Sequence, residues 1–232
     1  MKNDFWWLAR PGLAGGIDKT GERAAELLDV GFGSIEFGST QAVDLPVLLA
    51  RLATLRGQGA TPTAVGIGLG LPPDLPPASL GSQWRQGVLS LADCPAVADY
   101  FSLNLSAAAN RRFLTPSLSG ALDDALAEVA ACRAALPIPL AVKLPLADAC
   151  RLGAVLADAG VDQLTVVLPE TDAVAALSEA CATLAGLRIV AVGGITCAAD
   201  VAAVRAAGAD GVQVHRLFVS HGPATPALLQ LS

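Results

Sequence analysis

The 232-residue sequence is short of charge, of lysine and of aromatic rings. Charged residues make up 16% and aromatic residues 4%, against 53% hydrophobic residues. Lysine occurs only at Lys2, Lys19 and Lys143, and the formal net charge is -6. So few cations offer no basic groove, which excludes nucleic acid as a whole-domain partner. Long apolar runs are also missing. Pro, Gly or a charge interrupts each candidate before the ~18 residues that a membrane span needs, so no transmembrane segment is expected. The opening MKNDFWWLARPG carries Asp4 and only a short apolar patch, unlike a secretory signal peptide. The five cysteines (Cys94, Cys132, Cys150, Cys181 and Cys197) are odd in number and show no C-x-x-C spacing. That argues against a disulfide framework or a structural zinc, so no metal site is expected, and for free thiols in a reducing cytoplasm.

What the chain does contain is a repeated alternation. Strand-like segments at 11–17, 34–39, 63–70, 100–106, 140–146, 163–168, 188–195 and 211–217 are each followed by a helical stretch. The strand segments read as apolar on both faces, as in an all-parallel sheet covered by helices. Eight such units predict a single α/β domain over residues 1–232, a closed (β/α)8 barrel of the TIM type, with a doubly wound sheet as the alternative. Phe5, Trp6 and Trp7 read as an aromatic plug under the barrel. The alternatives are a contact with a second copy, which leaves a homodimer open, or a membrane anchor.

In a barrel of this kind the chemistry sits at the C-terminal ends of the strands. Two late strand ends carry a phosphate signature. AVGGIT (191–196) ends in Gly193 and Gly194 before a helix, and GVQVHR (211–216) ends in His215 and Arg216. Glycines let backbone N–H groups approach an anion, and a helix N-terminus and cationic side chains add to the attraction. The alternative is that the glycines only make a tight turn. Earlier in the chain, YFSLNLS delivers Asn104 and Ser106 to a loop that continues as Ala107, Ala108 and Ala109, none of which can move a proton.

LAGGIDKTGE (13–22), GFGSIEFGST (31–40), YFSLNLS, LAVKLP, VGGI and GADGVQVHRLFVSHGP (208–223) occur in the order found in dihydroorotate dehydrogenases, and over nearly its whole length the chain resembles that family. The resemblance implies an FMN-binding barrel that transfers hydride from a CH–CH group of a small-molecule substrate. It places Gly15, Gly16 and Lys19 in the first flavin-contacting strand and loop, with Lys19 facing the substrate. It puts Ser39 near the ring and Asn104 against both ring and substrate. Lys143 falls beside the N1–C2=O edge, where a positive charge stabilises an anionic ring. Gly194, His215 and Arg216 fall at the phosphate, where the strand-end glycine reading also puts Gly193. Lys143, Asn104 and Lys19 are therefore the candidate catalytic residues.

The departures cluster on the substrate face. Ala107 and Ala109 stand roughly where family members carry a catalytic Ser or Cys and a second Asn. Gly68 stands in the place of an Asn, and Val167 and Leu168 in that of a Thr–Asn pair. Ser106 is adjacent to the missing base, but strand alternation aims it elsewhere. The insertions after the second and sixth strands, and the N-terminal helical extension of the membrane-associated branch, are not seen. The first reading is therefore a cytoplasmic FMN oxidoreductase with a changed substrate. The others are a lyase or isomerase acting on a phosphorylated metabolite through Lys19 or Lys143, or a non-catalytic member that binds a ligand or partner.

Overall fold

In the computed structural model, residues 5–59, 62–184 and 186–230 are described. Lys2 and Asp4 lie outside them, as do Ala185 and Leu231 at the ends of two expected helices. Eight parallel strands close into a barrel in sequence order. They are β1 (Gly12–Leu13), β2 (Ser34–Thr40), β3 (Ala64–Leu69), β4 (Tyr100–Asn104), β5 (Leu140–Pro145), β6 (Gln163–Val167), β7 (Arg188–Val192) and β8 (Gly211–Val214). β1 pairs with both β2 and β8, which completes the ring.

The helices pack outside. They are α1 (Ala24–Asp29), α2 (Leu45–Arg56), α3 (Leu80–Ala92), α4 (Ser119–Cys132), α5 (Leu146–Asp158), α6 (Ala173–Thr183), α7 (Ala198–Ala206), α8 (Arg216–His221) and α9 (Thr225–Leu228). The RLFVSH turn of α8 begins where the sequence reads as continuing strand. β1 is likewise shorter than its apolar run, because the chain leaves the sheet at Ala14 toward Gly15 and Gly16.

The two faces of the strands differ, contrary to the all-apolar reading. Outward residues such as Ile35, Phe37, Val65, Ile67, Leu103, Val142 and Val166 are buried with the helix leucines in one continuous core. Each is an aliphatic or aromatic side chain removed from water at about 25 cal/mol per Å². Inward positions carry Glu36, Tyr100, Ser102, Lys143, Gln163, Thr165 and Gln213, all buried, interspersed with glycine and alanine. Glycine makes the space for this interior. A Cβ at Gly66 would run into the Tyr100 ring.

The bottom of the barrel is built for stability, as expected of that face. Trp7 stacks on Tyr100 with ring centroids 5.5 Å apart. The aromatic segment is thus a plug, with Trp7 buried and Trp6 44% exposed. Aspartates just before β4, β6 and β8 each tie down the preceding strand. Asp99, Asp162 and Asp210 accept the N–H of Val65, Leu140 and Ile189 while pairing with Arg56, Arg133 and Arg188. No described helix is long and apolar enough to cross a membrane.

Candidate functional site at the barrel mouth

Asn104 and Lys143 are cross-strand neighbours, paired in register at the C-terminal ends of β4 and β5. The Asn104 side chain is held from both ends. Its Nδ2 donates to Ser39 Oγ at 2.7 Å, and its Oδ1 accepts from Ser106 Oγ at 2.8 Å and Ser106 N at 3.0 Å. Asn110, 5% exposed, donates from Nδ2 to the Asn104 carbonyl. The chain turns sharply here, so Ser106 folds back onto Asn104 instead of continuing the strand alternation. The exposed Ala107, Ala108 and Ala109 form the open tip of that turn.

Lys143 is 8% exposed and forms no hydrogen bond or ion pair among the described residues. Two titratable groups feel its charge. Glu36, from β2, lies inside the barrel at 2% exposure. Burial pushes its carboxyl above the usual carboxylate range, and Lys143, then the Gly15 N–H and the Gln213 amide, pull it partly back. These last two face the carboxyl short of hydrogen-bond geometry, and neither of its oxygens has a hydrogen-bond partner among the described residues. His215 lies at the rim. Burial, then the Lys143 and Arg216 cations, hold it below the ordinary imidazole range, so it is neutral at pH 7. Its Nε2 lies 3.0 Å from where a Cβ on Gly16 would stand.

Gly193 and Gly194 follow β7 with φ of 105° and 71°, conformations open to glycine. The N–H groups of Gly193, Gly194 and Ile195 find no acceptor among the described residues. With Thr196, His215 and Arg216 they line a cleft of about 140 Å³. The Arg216 guanidinium is exposed and unpaired among the described residues. The α7 N-terminus behind them is already occupied. The Asp200 carboxylate accepts from Thr196 N, Thr196 Oγ1 and Cys197 N, bonds that hold it below its ordinary range. The expected contribution of that helix end to an anion is therefore weakened by a resident negative charge.

The structure thus gathers Gly15, Gly16, Ser39, Asn104, Lys143, His215 and Arg216 around one barrel mouth, with Gly193 and Gly194 beside Arg216. Lys19 stands apart. It is exposed on the β1–α1 loop, where its carbonyl accepts from Thr40 Oγ1 at 2.7 Å, and no contact joins its ammonium to Asn104 or Lys143. Its neighbour Asp18, buried at 6%, holds the loop by accepting the N–H groups of Thr20, Gly21 and Arg23. Sequence reasoning missed Glu36, although SIEFGST alternates Ser34 and Glu36 with Ile35 and Phe37. That period-2 pattern places a carboxylate on the face opposite the aliphatic core. No group of three or more metal-ligating side chains forms among the described residues.

The donor set fits FMN in part. The free N–H groups and Arg216 suit a phosphate, and an unpaired ammonium at the mouth suits a ring edge that gains negative charge. Gly68, Val167 and Leu168, at or past the ends of β3 and β6, offer no side-chain amide.

No protein-family model matches the chain, and no curated protein sequence does. Its fold matches solved structures of dihydroorotate dehydrogenase (DHODH) from Eimeria tenella. The ferulenol complex has TM-score 0.77 and 18% identity over 95% of this chain and 79% of that one. The ligand-free form has TM-score 0.74 and 19% identity, over 95% and 82%. At that identity the likeness is one of fold: this chain is built on the barrel that those DHODH structures share.

Proposed function

We propose that the chain is an FMN-dependent oxidoreductase of the dihydroorotate dehydrogenase kind, acting on a CH–CH group of a substrate other than dihydroorotate. The observation that carries this reading is the largely buried, unpaired Lys143 ammonium, register-paired with Asn104 at a barrel mouth that also holds free phosphate-type donors. When bound, the flavin supplies the hydride acceptor.

The residues of this chain have separate tasks. Gly193, Gly194, Ile195 and Arg216 hold the phosphate through N–H groups and one cation. Lys143 would offset negative charge gained by the flavin, and Asn104, fixed by Ser39 and Ser106, would offer it an amide. Neutral His215 accepts or donates one hydrogen bond over Gly16. Lys19, on a loop tied to β2 by Thr40, reaches toward the substrate from outside. A cytoplasmic location and a homodimer complete the proposal.

A lysine-dependent lyase or isomerase on a phosphorylated metabolite is the second reading, favoured by the same unpaired, largely buried Lys143. Titration of the purified protein with FMN, riboflavin and inorganic phosphate separates the two. FMN binding at least tenfold tighter than riboflavin supports the flavin reading. Failure of both flavins at millimolar concentration, with borohydride trapping of a carbonyl compound on Lys143, replaces it with the lyase.

A further inference from the structure

Glu36 has no task in the account above, and its position demands one. It is a carboxyl at 2% exposure, in the middle of a strand, with both oxygens lacking a hydrogen-bond partner among the described residues. A buried ionised carboxylate in that state is costly, and a structure that merely needed filling would use an aliphatic side chain. The surroundings place it directly beneath the mouth. A Cβ on Gly15 would come within 2.7 Å of its Oε1, and one on Gly68 within 3.2 Å, so two glycines keep room around the carboxyl. Both belong to strands or loops that end at the site.

The charged and titratable groups facing Glu36 are few. Lys143 on β5 is the cation whose charge it feels through the barrel interior, more than 4 Å away and too far for an ion pair. Tyr100 on β4 feels the carboxylate from below, and Gln213 on β8 faces it as a neutral amide. His215 sits beyond Lys143 and also feels that lysine. A carboxyl and an ammonium that sense each other without contact can exchange charge with a ligand. When an uncharged ligand covers Lys143, the ammonium loses its remaining water, and the Glu36 carboxylate is the counter-charge among the described residues that feels it. When the ligand over Lys143 becomes negative, the pair has one negative charge too many, and a proton on Glu36 removes it.

We propose that Glu36 is the titratable counter-charge of Lys143, taking up one proton when negative charge settles against the lysine and releasing it when that charge leaves. In the flavin reading, a hydride (two electrons and one proton) taken up from a CH–CH donor would add one negative charge to the ligand that Lys143 would hold. Glu36 then binds a second proton from solvent, so that charge at the mouth is conserved. Glu36 acts through Lys143 as a positioning residue for charge and touches no substrate. The inference rests on the flavin reading only for the identity of the anion.

The test has two arms. In the first, the ligand-free protein is titrated by infrared spectroscopy, following the protonated-carboxyl stretch that disappears in Glu36→Gln. The expected result is a Glu36 band that persists above the range of ordinary carboxylates. It moves up by at least one pH unit in Lys143→Met and stays in place in Lys143→Arg. A band that titrates like an exposed carboxylate, or that ignores Lys143→Met, overturns the proposal. The second arm measures proton uptake with an indicator dye while dithionite reduces the FMN-loaded protein. The wild type is expected to take up one more proton per ring than Glu36→Gln, and equal uptake overturns the proposal while leaving the flavin reading intact. Absence of FMN binding removes the flavin reading, and the infrared arm then decides the proposal alone. Should Lys143→Met not fold, the wild-type band and the Lys143→Arg comparison with Lys143→Gln replace it.

Discussion

Asn104 donates its amide to the Ser39 hydroxyl across 2.7 Å, joining the ends of β4 and β2 across β3, which carries Gly68 near its end with Gly70 just past it. The bond uses polar capacity that a wider site would direct at a ligand.

Gly68→Asn adds an amide at this point. The added Cβ would lie 3.2 Å from Glu36 Oε1, a contact that a shift of a few tenths of an ångström relieves. One added hydrogen bond of about 0.5–1.5 kcal/mol should tighten FMN binding by up to about tenfold. Fluorescence titration of the variant against wild type checks this.

Arg216→Ala removes a guanidinium that lines the glycine cleft and is unpaired among the described residues. A charge-assisted hydrogen bond is worth about 1.5–3 kcal/mol, so FMN affinity should fall by roughly ten- to a hundredfold. Riboflavin affinity should stay within twofold, since riboflavin carries no phosphate. Equal loss for both ligands would mean that Arg216 contacts the ring and not the phosphate.

Dihydroorotate should not be turned over at rates of about 1 s⁻¹ or more. Ala107, Ala108 and Ala109 supply no base, and Ser106 commits its hydroxyl to Asn104. Anaerobic mixing of FMN-loaded protein with dihydroorotate, read by flavin bleaching, tests the claim. Rapid bleaching that Ser106→Ala abolishes would make Ser106 the base after all.

Glu36→Gln should change how stability depends on pH. The folded-state pKa of Glu36 is raised above its unfolded value. Its contribution is therefore fully present below the unfolded pKa and is lost as pH rises through the folded one. Urea unfolding from about pH 4.5 to 8 should show wild type losing stability relative to Glu36→Gln by about 1.4 kcal/mol per unit of separation between the two pKa values. A constant difference across that range would mean the carboxyl is ionised without penalty.

Trp7→Ala should destabilise the barrel by about 3–5 kcal/mol, because the ring is 5% exposed and stacks on Tyr100 with planes 15° apart. Trp6→Ala, with its ring 44% exposed, should cost less than 1 kcal/mol. Sedimentation of both variants shows whether Trp6 also joins two copies; loss of a dimer in Trp6→Ala alone would assign it that role.

Sequence alone determined the alternation of eight strands and helices and which strand ends carry polar residues. These follow from local periodicity, since side chains two apart on a strand or three to four apart on a helix share a face whatever the rest of the chain does. It also marked Asn104, Lys143 and the Gly193–Gly194 turn, where a polar or glycine residue interrupts an apolar run. Closure into a barrel, and not the doubly wound alternative, was decided by the tertiary structure. Only the tertiary structure decided that Glu36 from β2, Lys143 from β5 and His215 after β8 share one electrostatic neighbourhood. It alone turned Ser106 back onto Asn104, set Asp200 across the α7 N-terminus, left Lys19 outside the ring of contacts, and stacked Trp7 under Tyr100. The Glu36, Lys143 and His215 neighbourhood and the Trp7–Tyr100 stack join residues distant in sequence, whereas the Ser106–Asn104 and Asp200 bonds span two to four residues and depend on how the loop turns. Barrel closure and the register between strands set the distant relations, and no local pattern encodes them.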